Sequence, residues 1–274
     1  MHDPSLDLVQ VRARTPLVHN ITNYVAMQTM ANTLLAIGAS PAMAHAREEV
    51  AELATLADAL TINIGTLSPH WVTAMAEAIS AARSADKPWV LDPVAVGVSS
   101  YRQQTARRLA AMRPSVIRGN ASEIIALSAA IERRELDGVS GRGVDAADPI
   151  EHAETSAQQL ARSTGAVVAV TGPRDLVCDA DRIATVDNGH ALMPRVTALG
   201  CALTGVIGAF LGAGAQVFEG TVSALAYYGL AGEQAAERAQ GPGSFAVHFL
   251  DALAAMDEAT LDRDARISYR SCQH

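Results

Sequence analysis

Two rhythms of apolar residues alternate along this chain. LTINIG (60–65), PWVLD (88–92), SVIRG (115–119) and AVVAVTG (166–172) are short, β-rich apolar runs, the pattern of strands buried on both faces of a parallel sheet. Between them the apolar period lengthens. After Ser68 and Pro69, suited to N-cap and first-turn positions, Val72, Met75, Ile79 and Ala82 fall three or four residues apart and predict one helical face against the sheet. PLVHNITNYVAM (16–27) leads into another helical pattern, with Thr22 as its expected N-cap. RDLVCDADRIATVDNG (174–189) predicts an antiparallel hairpin turning at Asp179-Ala180-Asp181. From Cys201 onward the pattern predicts three helices, roughly 201–214, 220–238 and 243–256. RRELDGVSGRGVDAADP (133–149) is polar and glycine-containing and reads as a loop.

Strands alternating with helices imply an α/β protein with a mostly parallel central sheet flanked by helices and a short antiparallel hairpin at one side. With neither linker nor repeat, the 274 residues read as one domain, 1–274. Hydrophobic residues make up 49% of the chain but aromatics only 4%, so the core must come from Ala, Val, Leu and Ile. A net charge of −8 without any basic run argues against a nucleic-acid surface. Val196–Phe218 carries no charge, but it begins as loop and is glycine-rich, so no membrane span is expected. The N-terminus lacks the apolar stretch of a signal peptide, and Cys178, Cys201 and Cys272 lie far apart, which fits a cytoplasmic protein.

Right-handed crossovers put the carboxyl ends of parallel strands along one edge, where sites in such sheets gather. Asp92 closes PWVLD before Pro93; it reads either as a turn aspartate or as a ligand for Mg2+ or a proton acceptor. Glu123, three residues after Asn120 in GNASEI, completes a capping box, or faces Asp92 across a cation that relieves their repulsion. Arg118 is either a surface arginine or a phosphate partner. Thr171 and Gly172 suit both a hairpin turn and a phosphate-approached backbone. His19, Asn20 and Asn23 form a polar cluster suited to orienting a small heterocycle, and Met43 is either pocket wall or core. Gly200-Cys201 opens a glycine-studded helix whose free amides and dipole bind anions. That field also lowers a thiol's pKa, so Cys201 reads as a base or orienter, or as a small buried residue. There is no GxxxxGK[ST], and the one lysine, Lys87, sits in a helix-to-strand connection.

PLVHNITNYVAM, GASPAMAHA, LTINIGTL, LDPVAVG, IRGNASEI, AVTGPRD, LGCALT and GPGSF, in this order, resemble the hydroxyethylthiazole kinase family of the ribokinase-like superfamily. The resemblance implies a ribokinase-like three-layer sandwich and ATP-dependent phosphorylation of a thiazole alcohol in thiamine salvage. It places Asp92 and Glu123 near Mg2+ and the phosphates, Arg118 and Thr171 against the nucleotide, and Met43 and Gly200 in the thiazole pocket. It puts Cys201 where related sugar kinases carry a catalytic aspartate. Asn23 is expected at the thiazole site from a neighbouring subunit, in a homotrimer with sites between subunits. Where the family carries glycine ahead of Gly-Cys, this chain has Ala198-Leu199. A cysteine-nucleophile hydrolase with His19 as base, or a non-catalytic nucleotide binder, are the alternatives.

Overall fold

The computed structural model describes residues 2–132 and 150–272; the polar stretch 133–149 lies outside the described residues. Among the described residues nine strands form one sheet: β1 (Leu17–Ile21), β2 (Ser40–Ala42), β3 (Ala59–Asn63), β4 (Trp89–Asp92), β5 (Val116–Asn120), β6 (Val167–Thr171), β7 (Asp175–Cys178), β8 (Arg182–Val186) and β9 (Ile267–Ser271), in spatial order β2-β1-β3-β4-β5-β6-β7-β8-β9. Pairings from β2 through β6 are parallel. Those from β6 to β9 are antiparallel. The helices are α1 (Pro4–Arg14), α2 (Met27–Ile37), α3 (Val50–Leu56), α4 (Pro69–Ser84), α5 (Ser100–Ala110), α6 (Ala121–Glu132), α7 (Ile150–Thr164), α8 (Leu199–Gly212), α9 (Val217–Arg238), α10 (Pro242–Ala255) and α11 (Glu258–Asp264).

Successive strand residues point to opposite faces, and each face carries its own core. Val90, Val116 and Ala169 pack with Met30, Phe210 and Phe249 of α2, α8 and α10. Leu91, Ile117 and Val168 pack with Met75, Leu109 and Leu127 of α4, α5 and α6. The result is the three-layer arrangement expected of a parallel sheet that needs both faces covered. Ser68 caps α4, accepting from the Trp71 amide, and Val72, Met75, Ile79 and Ala82 form its buried face. Among the described residues no helix is long and apolar enough to cross a membrane.

Three local expectations change. LVHNI is a strand, held between β2 and β3, and α2 begins only at Met27 behind Ala26, so Thr22 is not its N-cap. Sheet pairing on both sides outweighs the capping signal there. The C-terminus adds α11 and β9, and β9 lacks the apolar run of a buried strand because it is an edge strand with four of its five residues exposed. The helix carrying Cys201 starts two residues earlier, at Leu199, so the thiol stands on its third residue.

Helix α8 lies close against the sheet because Gly208 has no side chain. A Cβ there would stand 2.9 Å from Thr61 Cγ2 and 3.2 Å from Val18 Cγ1, side chains of β3 and β1 that cannot swing aside. Gly208→Val is therefore expected to destabilise the fold by about 2 kcal/mol through overpacking, read as a lowered midpoint in urea unfolding.

Candidate active site

The strand register assembles the site. Asn63 of β3 pairs with Asp92 of β4, and Asn120 of β5 with Thr171 of β6, so four polar residues line the carboxyl edge of the parallel strands. Asp92 is fully buried. Its Oδ2 accepts from Asn63 Nδ2 at 2.7 Å and from Thr204 Oγ1 of α8 at 2.9 Å, while Oδ1 has no partner. Burial pushes the Asp92 pKa up to about 7; the Arg118 guanidinium opposes that rise, and the negative Glu123 adds to it.

Arg118 projects from β5 and is almost fully buried. It donates through Nη2 to Thr171 Oγ1 at 2.7 Å and lies 3.8 Å, through Nη1, from Asp92 Oδ2; its Nε is buried without a partner. Glu123 completes the capping box: Oε2 accepts from the Asn120 amide and Asn120 Oδ1 from the Glu123 amide, each at 2.9 Å. Its other oxygen accepts from the Ala95 amide at 2.9 Å, so Glu123 also ties down the loop after β4. Capping and proximity to Asp92 thus hold together.

Above these groups stands the amino end of α8. Ala198, at φ 67°, provides no side-chain cap, which leaves the first amides of the helix open. The Tyr228 hydroxyl anchors this turn by donating to the Leu199 carbonyl at 2.7 Å. A Cβ on Gly200 would lie 3.2 Å from Arg118 Nη2, so a side chain there would press the guanidinium back from the helix end. Asn23 Nδ2 reaches Cys201 Sγ at 3.3 Å within the same chain, so this pair needs no neighbouring subunit.

The Cys201 thiol does not behave as its helix position suggests. Burial pushes its pKa up to about 11 and the nearby Asp92 adds to the rise, against smaller opposing effects of Arg118, Asn23 and Asn63. With its pKa raised to about 11, Cys201 is a thiol at neutral pH. A nucleophilic pairing with His19 is also not built: His19 Nε2 faces the Ala44 carbonyl at 2.9 Å, and burial pushes the His19 pKa down. Asn20 is spent inside the sheet, bonding the Val18 carbonyl and the Thr61 hydroxyl. Met43 is half-buried against the core on the α8 side.

Three further contributors carry no motif of their own in the sequence. Asn63 was hidden in an apolar strand, Thr204 in the helix after Gly-Cys, and Arg102 on α5. Arg102 clamps the loops after β3 and β4, donating to the Ile64, Gly65 and Val94 carbonyls at 2.6, 2.6 and 2.9 Å. Polar residues inside apolar runs were the available signal for the first two.

A guanidinium, a helix amino end and a buried carboxylate converging at one sheet edge are the parts of a phosphoryl-transfer site. Residues 8–259 match the model of the hydroxyethylthiazole kinase family. The chain belongs to that family. A hydroxyethylthiazole kinase from Cereibacter sphaeroides is 57% identical over 257 residues, covering 94% of this chain and 95% of that one. One from Rhizobium johnstonii is 54% identical over 266 residues, 97% of each chain. The solved structure of hydroxyethylthiazole kinase from Pyrococcus horikoshii superposes with a TM-score of 0.90 at 40% identity, covering 98% of this chain and all of that one. Staphylococcus aureus pyridoxal kinase in complex with AMP-PCP, at 16% identity, covering 80% of this chain and 88% of that one, with a TM-score of 0.61, shares the fold, the ribokinase-like three-layer sandwich.

The donor set fits a hard cation of limited protein ligation. Among the described residues no cluster of three or more His, Cys, Asp or Glu side chains is placed to hold a metal. Asp92 nevertheless offers a buried, unpartnered carboxylate oxygen near Glu123. Mg2+ uses one or two carboxylates and takes the rest of its shell from phosphates and water.

The raised Asp92 pKa makes stability pH-dependent. Between its ordinary 3.8 and about 7 the folded state holds this proton more tightly than the unfolded chain, so stability falls as pH rises through that window. In urea titrations Asp92→Asn should gain on the parent protein from about pH 4 to about pH 7 and keep a constant difference above. A difference independent of pH would put the folded pKa back at its ordinary value.

Proposed function

We propose that this protein transfers the γ-phosphoryl group of ATP to the primary alcohol of 4-methyl-5-(2-hydroxyethyl)thiazole, giving the thiazole phosphate and ADP, in thiamine salvage. The observation that carries this reading is the close approach of the Arg118 guanidinium to the amino end of α8 over Gly200. Two positive features brought this close together favour an anion bound beside both, and Asp92 answers only the guanidinium.

Arg118 and Thr171 hold the phosphates of ATP, and the open amides of α8 gather charge on the transferring group. Met43, Gly200 and Asn23 line the thiazole side, with Cys201 beside the attacking hydroxyl. The alcohol oxygen bonds to the γ-phosphorus as the bond to the ADP oxygen breaks, and the alcohol proton passes to solvent water as the phosphate monoester forms. Phosphoryl transfer through a loose transition state needs position more than a strong base. Cys201, still protonated, serves as a hydrogen-bonding orienter rather than the proton acceptor. Asp92 and Glu123 would hold Mg2+, which when bound draws charge from the phosphate oxygens.

The whole chain acts as one domain, in the cytoplasm, as a homotrimer with sites near subunit boundaries. In support, Tyr24 and Val25, directly after Asn23, are 65% and 61% exposed and would be covered by a neighbour.

ADP release that requires both the thiazole alcohol and Mg2+ tests the reading. ATP binding without product would favour a nucleotide binder, and acylation of Cys201 a hydrolase. Cys201→Ala is expected to lower kcat about tenfold through lost orientation, with ATP affinity unchanged by calorimetry; an unchanged rate removes the thiol from the chemistry.

A further inference from the structure

The proposed alcohol side is built from the loop after β1 and the first turn of α8 and the phosphate-side carboxylate ends β4, and one side chain joins them. Asn63 is 1% exposed, at the end of β3. Its Oδ1 accepts from Asn23 Nδ2 at 2.9 Å and from the Gly65 amide at 2.8 Å, while its Nδ2 donates to Asp92 Oδ2 at 2.7 Å. The orientation of this amide is determined by its partners. A backbone N–H only donates, so the oxygen must face Gly65 and the nitrogen must face the carboxylate.

The chain of bonds continues at both ends. Asn23 Oδ1 accepts from the Ala26 amide at 3.0 Å, where the backbone enters α2, and Asn23 Nδ2 also reaches Cys201. On the other side Asp92 Oδ2 accepts from Thr204, one turn along α8 from Cys201. Gly65 is part of the same construction. A Cβ at that position would lie 2.8 Å from both Asn23 Cβ and Nδ2, so glycine is what lets Asn23 lean onto Asn63.

We infer that Asn63 is a positioning residue that sets the alcohol-orienting pair Asn23–Cys201 in register with the phosphate-side carboxylate Asp92. This rests on the proposed kinase reaction and adds to it a coupling element. Asn63 touches the groups that touch the substrates, and its amide is the direct link between Asn23 and Asp92. Alignment of acceptor and donor is realised in the transition state, whereas each substrate alone is held by its own contacts. Losing the link therefore affects turnover and not binding.

The experiment compares the full-length parent with Asn63→Ala and Asn63→Ser, assaying ADP and thiazole phosphate separately. The parent should release one ADP per thiazole phosphate. In Asn63→Ala, kcat should fall about a hundredfold, as for a misplacement near 1 Å, with both KM values within about threefold of the parent. A fraction of its ADP should form without thiazole phosphate, because water competes with a misaligned alcohol. Asn63→Ser, which keeps a small hydroxyl, carries the same test if the alanine variant fails to fold. A loss confined to thermal stability, an equal rise in both KM values, or ADP and product still matched one to one in a slowed variant overturns the positioning role. No product from the parent protein overturns the kinase reading and this inference together, whereas an active parent and an equally active variant overturn only the inference.

Discussion

The site is organised around one buried carboxylate. Taking Asp92 out of water is costly unless its charge is answered, and the answers come from three separate elements: Asn63 on β3, Arg118 on β5 and Thr204 on α8. Each is held where it is by the sheet register or by the close seating of α8. Satisfying this one group therefore brings two strands and a helix to common coordinates. The satisfaction is incomplete, with one oxygen unpartnered and the pKa near 7, and that residue of unmet demand is what a cation and a triphosphate can relieve.

Much of the fold could be read directly. Strands β3 to β6 are contiguous apolar runs flanked by helical stripes, and a hairpin turn rich in Asp marks β7 and β8. What escaped was set by partners distant in sequence. LVHNI becomes a strand because β2 and β3 flank it, and ISYRS because β8 offers an open edge. Local propensity holds no record of either. In the site, Asp92, Glu123, Arg118, Thr171 and Cys201 stood out by residue type at strand or helix ends, and the structure brings them together. Asn63 and Thr204 did not, since an amide or hydroxyl inside an apolar segment is informative only once its neighbour across the sheet is known.

Cys201 shows how a sound local argument can be overruled. A helix amino end stabilises a thiolate, but only where the thiolate keeps some water or lacks a competing anion. Here the sulfur is buried beside Asp92, and burial first, then that neighbouring carboxylate, raise its pKa. Ala198 is a second local departure. A left-handed backbone at a residue with a Cβ costs about 1 kcal/mol, and it stands at the turn that keeps the amides of α8 open. Strain and open donors share one turn, as is common where ligands bind.

Lys87 lies in the connection from α4 to β4, at the amino end of the strand whose carboxyl end carries Asp92. It is the chain's only lysine and has Asp58 as its ion partner, 3.9 Å away. Acylation of a lysine side chain thus has a single address, on the far rim from the chemistry. A molecule tethered there would present its catalytic rim outward.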